Sequence, residues 1–515
     1  MSNLEVSFLN SNNINNLEFS IKNIKLALAN AIRRCLLSEL PIVGFNDKWH
    51  DEENMRNILI KKNTSVVHNE FLSHRISLIP LCMYKCEELQ NIIISRYDSE
   101  SCKRVYELDS DKNKLSFSLV ISSSEEDRLR INLQLQERKE QLEKMNFEKN
   151  LESSDKSQYE KNIEMIEYLN SLTDKFHITD NLITIHHKDG REINKEDIFI
   201  KDVFSDDYNL LFFFNESDVL QELNIEMKLT VNNGFYHSSY CPVGTVSMQF
   251  VEDDENINYV FKEKILYKNN ERTTKGLPPY VTNIQLLDQI DDVLTNPESF
   301  KNDDEVNNRD IDFIVKEKKS FDLLDKERVF KINDDNEPNE FKFTIESLGQ
   351  LPSNVLLYNS LNILKLKLND IIRNISITDK VTLTDKIEYQ VNTNLEWVIC
   401  VNDENHTLGN LINDYMKRHK DLSFSGYKMP HPLKQQIEFY MTLKPKKNFE
   451  EYYKKNYVKN TDLSIEISEE EMDKNIKFCI FRNTIENIIQ DIDRFSDICK
   501  ETFGDEVYHY INIID

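Results

Sequence analysis

The chain has 515 residues, of which 30% are charged and 39% hydrophobic, and a formal net charge of −26. That length is enough for two or more domains with real cores. The acidic balance argues against a large DNA-contacting surface, which needs clustered Lys and Arg, and fits docking onto basic protein partners.

Leu4–Ser20 alternates weakly and is expected to form one or two strands. A helix follows, with Ile24, Leu28, Ala31, Cys35 and Leu36 on one apolar stripe, and Pro41 stops it. Arg33, Arg34, Ser38 and Glu39 lie on the other side, where a solvated face is the plain reading. Residues 46–244 read as a mixed, strand-rich region interrupted by the charged segment Arg128–Ser171, expected to be a surface helix or insertion. Strand-like runs resume at Asn181–His186 and Ile198–Phe204. Leu210–Phe214 (LLFFF) reads as a buried strand, and Leu223–Val231 and His237–Val246 follow around a turn at Asn232–Gly234.

Residues 252–340 are polar and poorly patterned, and are expected to be extended loop or partly disordered. Phe341, Phe343 and Ile345 then alternate as a strand. Pro352–Ser353 opens a helix in which Leu357, Leu361, Leu364 and Leu368 keep helical spacing. A linker over 375–390 leads to a strand at Leu395–Val401. Asn405 is placed to cap a helix over His406–His419, and strands at Leu422–Tyr427 and Gln435–Leu443 flank a turn through Pro430–Pro432. Lys444–Asp473 is charged and expected to be irregular, and Phe481–Ile498 forms a long amphipathic helix. The fold class is α+β, and the apolar helical stripes of the two halves are expected to bury each other.

Chemistry finds little purchase. His68, Glu70 and His74 do not converge, because i and i+2 lie about 200° apart on a helix, and HExxH is absent. The 8 cysteines include no CxxC pair; Cys82, Cys86 and Cys102 offer thiols at loose spacing, whereas zinc wants tight pairs, so no cofactor is expected and zinc is disfavoured. His186, His187 and His237 fit no nucleophile arrangement, and GxSxG, GxGxxG and GxxxxGK[ST] are absent. The acidic pairs Asp206–Asp207 and Asp334–Asp335 read as solvated loop charges. With 9 glycines in the chain, Gly349, Gly409 and Gly426 stand out. A helical glycine costs about 1 kcal/mol relative to Ala, so Gly409 reads either as a close backbone approach or as a tolerated residue in a frayed first turn. The N-terminal MSNLEVSFLN has neither basic segment nor apolar run, so no signal peptide is expected, and no apolar stretch is long enough to span a membrane. A soluble, reducing compartment is the default.

Four segments carry a resemblance. Asn30–Phe45 (NAIRRCLLSELPIVGF), Asn63–Leu81 (NTSVVHNEFLSHRISLIPL) and Phe343–Pro352 (FTIESLGQLP) resemble the alpha-like subunits of multisubunit DNA-dependent RNA polymerases, such as the archaeal D-type chain and the third subunit of polymerase II. Asn405–Leu433 (NHTLGNLINDYMKRHKDLSFSGYKMPHPL) resembles their smaller partner, the archaeal L-type chain or the eleventh subunit of polymerase II. Asn69 stands where that family usually has Asp and Ser77 where it has Gly. The four-cysteine zinc loop of some relatives is not reproduced, and the glycine-rich segment is degenerate as NNGFYHSSYCPV.

The resemblance implies a dimerisation module built from two halves of one chain. Its D-like part covers 1–45 and 245–375, an insert domain covers 46–244, and the L-like part covers 376–515. It implies a non-catalytic assembly platform, with the two largest polymerase subunits and small zinc-ribbon subunits as partners, DNA and RNA reached only through the complex, and no membrane contact. Partner-facing residues carried over are Arg33, Arg34, Glu70, Phe71, His74 and Arg75 toward the second-largest subunit. His406, Thr407, Leu408, Gly409, Asn410, Tyr427, His431 and Pro432 face the other large subunit or shape the dimer fold. Joining both partners in one chain is similar to the arrangement in large cytoplasmic DNA viruses, which would place the protein in a viral factory and the virion. The alternatives are a stand-alone transcription regulatory or assembly factor with this fold, and an enzyme hidden in the insert.

Overall fold

The computed structural model describes residues 4–46, 57–98, 100, 103–124, 126–127, 176–201, 208–214, 220–301, 307–333, 336–377, 381–384, 386–391, 397–445, 450–451, 453 and 468–514. The charged segment Arg128–Ser171, Cys102, Asp206–Asp207 and Asp334–Asp335 lie outside these residues. In chain order the elements are β1 (Glu5–Asn13), β2 (Asn16–Lys22), α1 (Leu26–Ser38), β3 (Pro41–Phe45), β4 (Ile58–Asn63), α2 (Asn69–Ser77), β5 (Ile93–Asp98), β6 (Lys103–Leu108) and β7 (Leu115–Ser122). There follow β8 (Phe176–Thr179), β9 (Thr184–His187), β10 (Leu210–Phe214), β11 (Glu222–Met227), β12 (Leu229–Asn233), β13 (Val243–Phe250), α3 (Ile257–Thr274), α4 (Asn308–Leu324), β14 (Glu340–Ser347) and α5 (Ser353–Arg373). The chain continues with β15 (Ile375–Ile377), β16 (Val381–Leu383), β17 (Ile387–Val391), β18 (Trp397–Asn402), α6 (His406–Met416), β19 (Leu422–Lys428), β20 (Gln436–Leu443), α7 (Glu469–Phe503) and β21 (Ile511–Ile514).

The larger sheets have strand orders β1-β2-β14-β13, β4-β11-β7-β9, β17-β18-β20-β19 and β21-β5-β6. The chain divides into two compact units, residues 1–9, 18–29 and 247–344 in one and 10–17, 30–246 and 345–515 in the other.

The first unit corrects the expectation for 252–340. Instead of loop, that stretch holds α3, α4 and short helices around a core of Ile257, Phe261, Ile265, Leu287, Val293, Ile311, Ile314 and Phe321. The reason is local. Ile257, Phe261 and Ile265 recur every four residues and supply only one apolar side chain per turn, which an average over so polar a segment hides. Lys264 pairs with Asp325 and Lys268 with Glu317 around that core.

The second unit holds the predicted helical stripes. Leu357, Leu361, Leu364 and Leu368 of α5 are all buried, as are Ile485, Ile488, Ile492 and Phe495 of α7. The two helices pack on each other, and α6 packs on α7. The Cys35 thiol of α1 donates to the Ser360 carbonyl of α5 at 3.3 Å. The two halves thus close through their apolar faces within one chain.

Helix ends follow from their caps. Asn405 accepts from the Thr407 amide at 2.8 Å and starts α6 as expected. α5 begins after Pro352, behind a turn in which Gly349 adopts φ +89°, a conformation that favours glycine. α7 starts earlier than predicted. Ser468 caps it and Glu469, Glu470 and Glu471 fill its first turn, where carboxylates favour the helix dipole. The Glu469–Asp473 stretch expected to be irregular is therefore helix. Within the expected linker over 375–390, the described residues include β15 and β16, which pair antiparallel, and the start of β17.

Candidate partner-docking site

Asn63 builds the first part of the site. Its amide donates to the Val67 carbonyl at 2.8 Å and to Asn69 Oδ1 at 2.7 Å, and its own Oδ1 accepts from the Ser65 amide and hydroxyl at 2.9 and 2.7 Å. The loop so fixed delivers His68, whose Nδ1 accepts from the Glu70 amide and caps α2. Leu72, Ser73, Ile76 and Ser77 face inward, and Glu70, Phe71 and His74 face out. Phe71 is 51% exposed, with Val66 and Leu78 exposed on the same segment. Arg75 has a different part. Its guanidinium donates to the Leu210 carbonyl at 2.5 Å and lies 5.7 Å from the Phe71 ring centre, so it ties α2 to β10. His237, to which the sequence assigned no role, stands with its ring 6.3 Å from that of His74.

Arg33 and Arg34 point elsewhere. Arg33 Nε donates to Asn30 at 3.0 Å, and Arg34 Nε donates to Thr407 Oγ1 at 2.8 Å. Arg34 thus reaches the second motif and bridges the two halves, while Arg33 bonds within its own helix. Among the described residues no hydrogen bond or ion pair joins either arginine to Glu70, Phe71 or His74.

In the second motif, His406 and Asn410 are exposed while Thr407, Leu408 and Gly409 are buried within the chain. Of the two roles expected for this motif, those three take the packing one. A Cβ on Gly409 would sit 2.6 Å from Tyr427 Cδ2 and 3.3 Å from Ile437 Cγ2, which decides for the close-approach reading. Gly409→Ala is therefore expected to destabilise by about 1–3 kcal/mol through overpacking, more than the helix propensity it gains. Adding Tyr427→Ala should relieve most of that loss in a denaturant melt. The Tyr427 hydroxyl, pushed up by burial, lies 3.4 Å from His406 Nδ1. His431 is exposed and accepts from the Leu433 amide at 3.1 Å, holding a turn that presents Pro432 and Leu433 to solvent.

Sequence reasoning missed the charged joint beneath these motifs. Lys367 of α5 lies 3.3 Å from Glu39 and 3.0 Å from Glu404, and Lys386 lies 3.1 Å from Glu404. Asn405 Nδ2 donates to Glu39 at 3.1 Å. Arg104 of β6 grips Asp370 of α5 through two hydrogen bonds of 2.9 and 2.7 Å. The available signal was Lys367 and Asp370 standing three apart among the leucines of an apolar helix. Glu39 is not on a solvated face.

Burial works to raise the Glu39 carboxyl, but Lys367, Asn405 and Arg34 outweigh it and hold it below its ordinary 4.5. Burial works to lower Lys367, but Glu404 and Glu39 outweigh it and raise it above 10.5. A depressed carboxyl contributes stability that is present above its unfolded value and lost as pH falls through its folded one. A melting-temperature series from pH 6 downward is thus expected to fall below pH about 4.5, and to fall less steeply in Glu39→Gln.

Cys82 and Cys86 are buried and free, and burial pushes the Cys86 thiol up to about 12. Among the described residues no group of three or more His, Cys, Asp or Glu is arranged to hold a metal ion. No described helix is long and apolar enough to cross a membrane.

Comparison with known proteins adds the following. A family described as RNA polymerase Rpb3/Rpb11 dimerisation domain matches residues 18–368, more than half of the chain, and a second family of the same description matches 396–470. Human DNA-directed RNA polymerases I and III subunit RPAC1 is 40% identical over 67 residues, 13% of this chain and 16% of that protein. DNA-directed RNA polymerase II subunit RPB3 of Schizosaccharomyces pombe is 39% identical over 67 residues, 13% of this chain and 19% of that protein. DNA-directed RNA polymerase subunit Rpo3 of Pyrobaculum aerophilum is 34% identical over 61 residues, 12% of this chain and 20% of that protein. The chain spans about a fifth or less of the length of these curated relatives.

Proposed function

The chain belongs to the RNA polymerase Rpb3/Rpb11 dimerisation domain family, and from that premise we propose that it is a non-catalytic assembly platform of a multisubunit DNA-dependent RNA polymerase. In this reading the D-like parts, 1–45 and 245–375, and the L-like part, 376–515, are two former partners joined in one chain. They dock the two largest subunits, with small zinc-ribbon subunits alongside, and nucleic acid is handled by those subunits. A viral, cytoplasmic setting belongs to the same proposal.

The observation that carries the reading is the closure of α1 and α5 on α6 and α7 inside one polypeptide, with the cross-half bond from Arg34 to Thr407. Joining the partners makes their pairing intramolecular and replaces a concentration-dependent step by a high effective concentration. What remains exposed is then the docking surface: Glu70, Phe71 and His74 on α2 for the second-largest subunit, and His406, Asn410, His431 and Pro432 for the other.

The test is co-purification from the native source. Stoichiometric large subunits are expected with the wild-type chain. Phe71→Glu with His74→Ala should leave the melting curve within about 0.5 kcal/mol of wild type, since both side chains are on the surface, and should abolish recovery of the second-largest subunit. Undiminished recovery defeats the docking assignment. A chain recovered without large subunits would instead act alone as a transcription or assembly factor.

A further inference from the structure

We propose that Glu39, Lys367, Glu404 and Lys386 form a pairing key that selects which second half can close on α1 and α5. The inference rests on the two-half reading of the fold and not on polymerase docking. Apolar stripes discriminate poorly, because hydrophobic surfaces of about the right size pack on one another at modest loss. Selection needs groups whose mispairing is costly.

The joint has such groups in the right places. The first half supplies Glu39, just beyond α1, and Lys367, in the middle of α5. The second half supplies Glu404 and Asn405 at the start of α6 and Lys386 before β17. Glu39 with Lys367 and Glu404 with Lys386 are opposite charges within their own halves. The contacts that cross are Lys367 to Glu404 at 3.0 Å and Asn405 to Glu39 at 3.1 Å.

Asn405 does two things at once: its oxygen caps α6 and its amide reaches Glu39. The start of α6 is thereby fixed to the end of α1. The Glu404 side chain is 2% exposed and that of Lys386 5%. A foreign second half that buried this surface without matching groups would deprive Lys367 of Glu404 and Glu39 of the Asn405 amide away from water, and removing one member of a buried ion pair is far more costly than replacing the pair.

A charge-reversed chain makes the test. Glu39→Lys, Lys367→Glu, Glu404→Lys and Lys386→Glu together keep the balance within each half and within the intact chain. A protease site is introduced at residues 378–380 of the full-length wild-type and reversed proteins, one of them isotopically labelled. Both are cut after folding, mixed, unfolded and refolded together, and native mass spectrometry counts the pairs.

Chance pairing makes mixed pairs about half of the total, and the key predicts about a tenth or less, because mixing sets like charges face to face in a buried contact. Mixed pairs at the chance share overturn the proposal. Should the fragments or the reversed chain fail to refold, the uncut protein decides through thermal unfolding of Lys367→Met, Glu404→Gln and the double substitution. A double loss of melting temperature smaller than the sum of the single losses supports the key, and additive losses overturn it. Neither readout involves the large polymerase subunits, so failed co-purification and failed pairing selectivity are separable results.

Discussion

Asp370→Ala is expected to lower stability by about 3–5 kcal/mol, the loss typical of removing one partner from a buried ion pair. The Arg104 guanidinium donates from Nε and Nη2 to both Asp370 oxygens and from Nη1 to Ser95 Oγ at 3.1 Å. The two side chains are 5% and 1% exposed. Without the carboxylate, the guanidinium loses both of these charge-assisted hydrogen bonds while it stays away from water. Asp370→Asn should lose nearly as much, because it keeps the shape and removes the charge. Arg104→Met with Asp370→Leu should recover most of the loss, because an apolar pair of similar volume needs no compensation. Urea unfolding followed by far-UV circular dichroism measures all three. A loss below about 1 kcal/mol for Asp370→Ala, the range of an exposed pair, would mean that the guanidinium finds water and that β6 is not held to α5 here.

The sequence was legible where periodicity or a cap stated the structure locally. The stripes of α1 and α5, the Asn405 cap and the apolar run Leu210–Phe214 each announce themselves within a dozen residues. The resemblance supplied the one long-range fact, that the two halves pair. Much else was hidden for identifiable reasons. The core of α3 and α4 rests on one apolar side chain per turn in a charged segment. The start of α7 is so acidic that it reads as solvated coil, although Ser468 followed by glutamates is itself a start signal. β21 lies parallel to β5, pairing Ile511 with Ile93, and no local pattern specifies a partner so distant in the chain. The motif residues divide between surface and interior, which their spacing alone did not separate. Arg75 and Arg34, expected to face a partner, each donate a hydrogen bond inside the chain, and burial removes Thr407, Leu408 and Gly409 from the surface.

Phe495→Ala is the second large effect, expected at about 3–5 kcal/mol for an aromatic side chain removed from a core. Lys365 meets Asp493 at 2.6 Å, and Lys500 lies over the Tyr358 ring at 5.6 Å, so α5 and α7 run antiparallel. That register sets Phe495, 2% exposed, opposite the stretch of α5 that buries Leu361 and Leu364. The Lys365–Asp493 pair sits at the rim of the same contact, with side chains 37% and 44% exposed. Exposed pairs contribute about 0–1 kcal/mol, so Lys365→Ala should change stability little. The contrast separates two accounts of how the halves hold together. If apolar burial closes the joint, Phe495→Ala shifts the denaturation midpoint strongly while Lys365→Ala does not. If rim charges close it, the order reverses and about 0.5 M salt weakens the wild-type protein as much as the lysine substitution does, since screening acts on exposed pairs and hardly on buried ones.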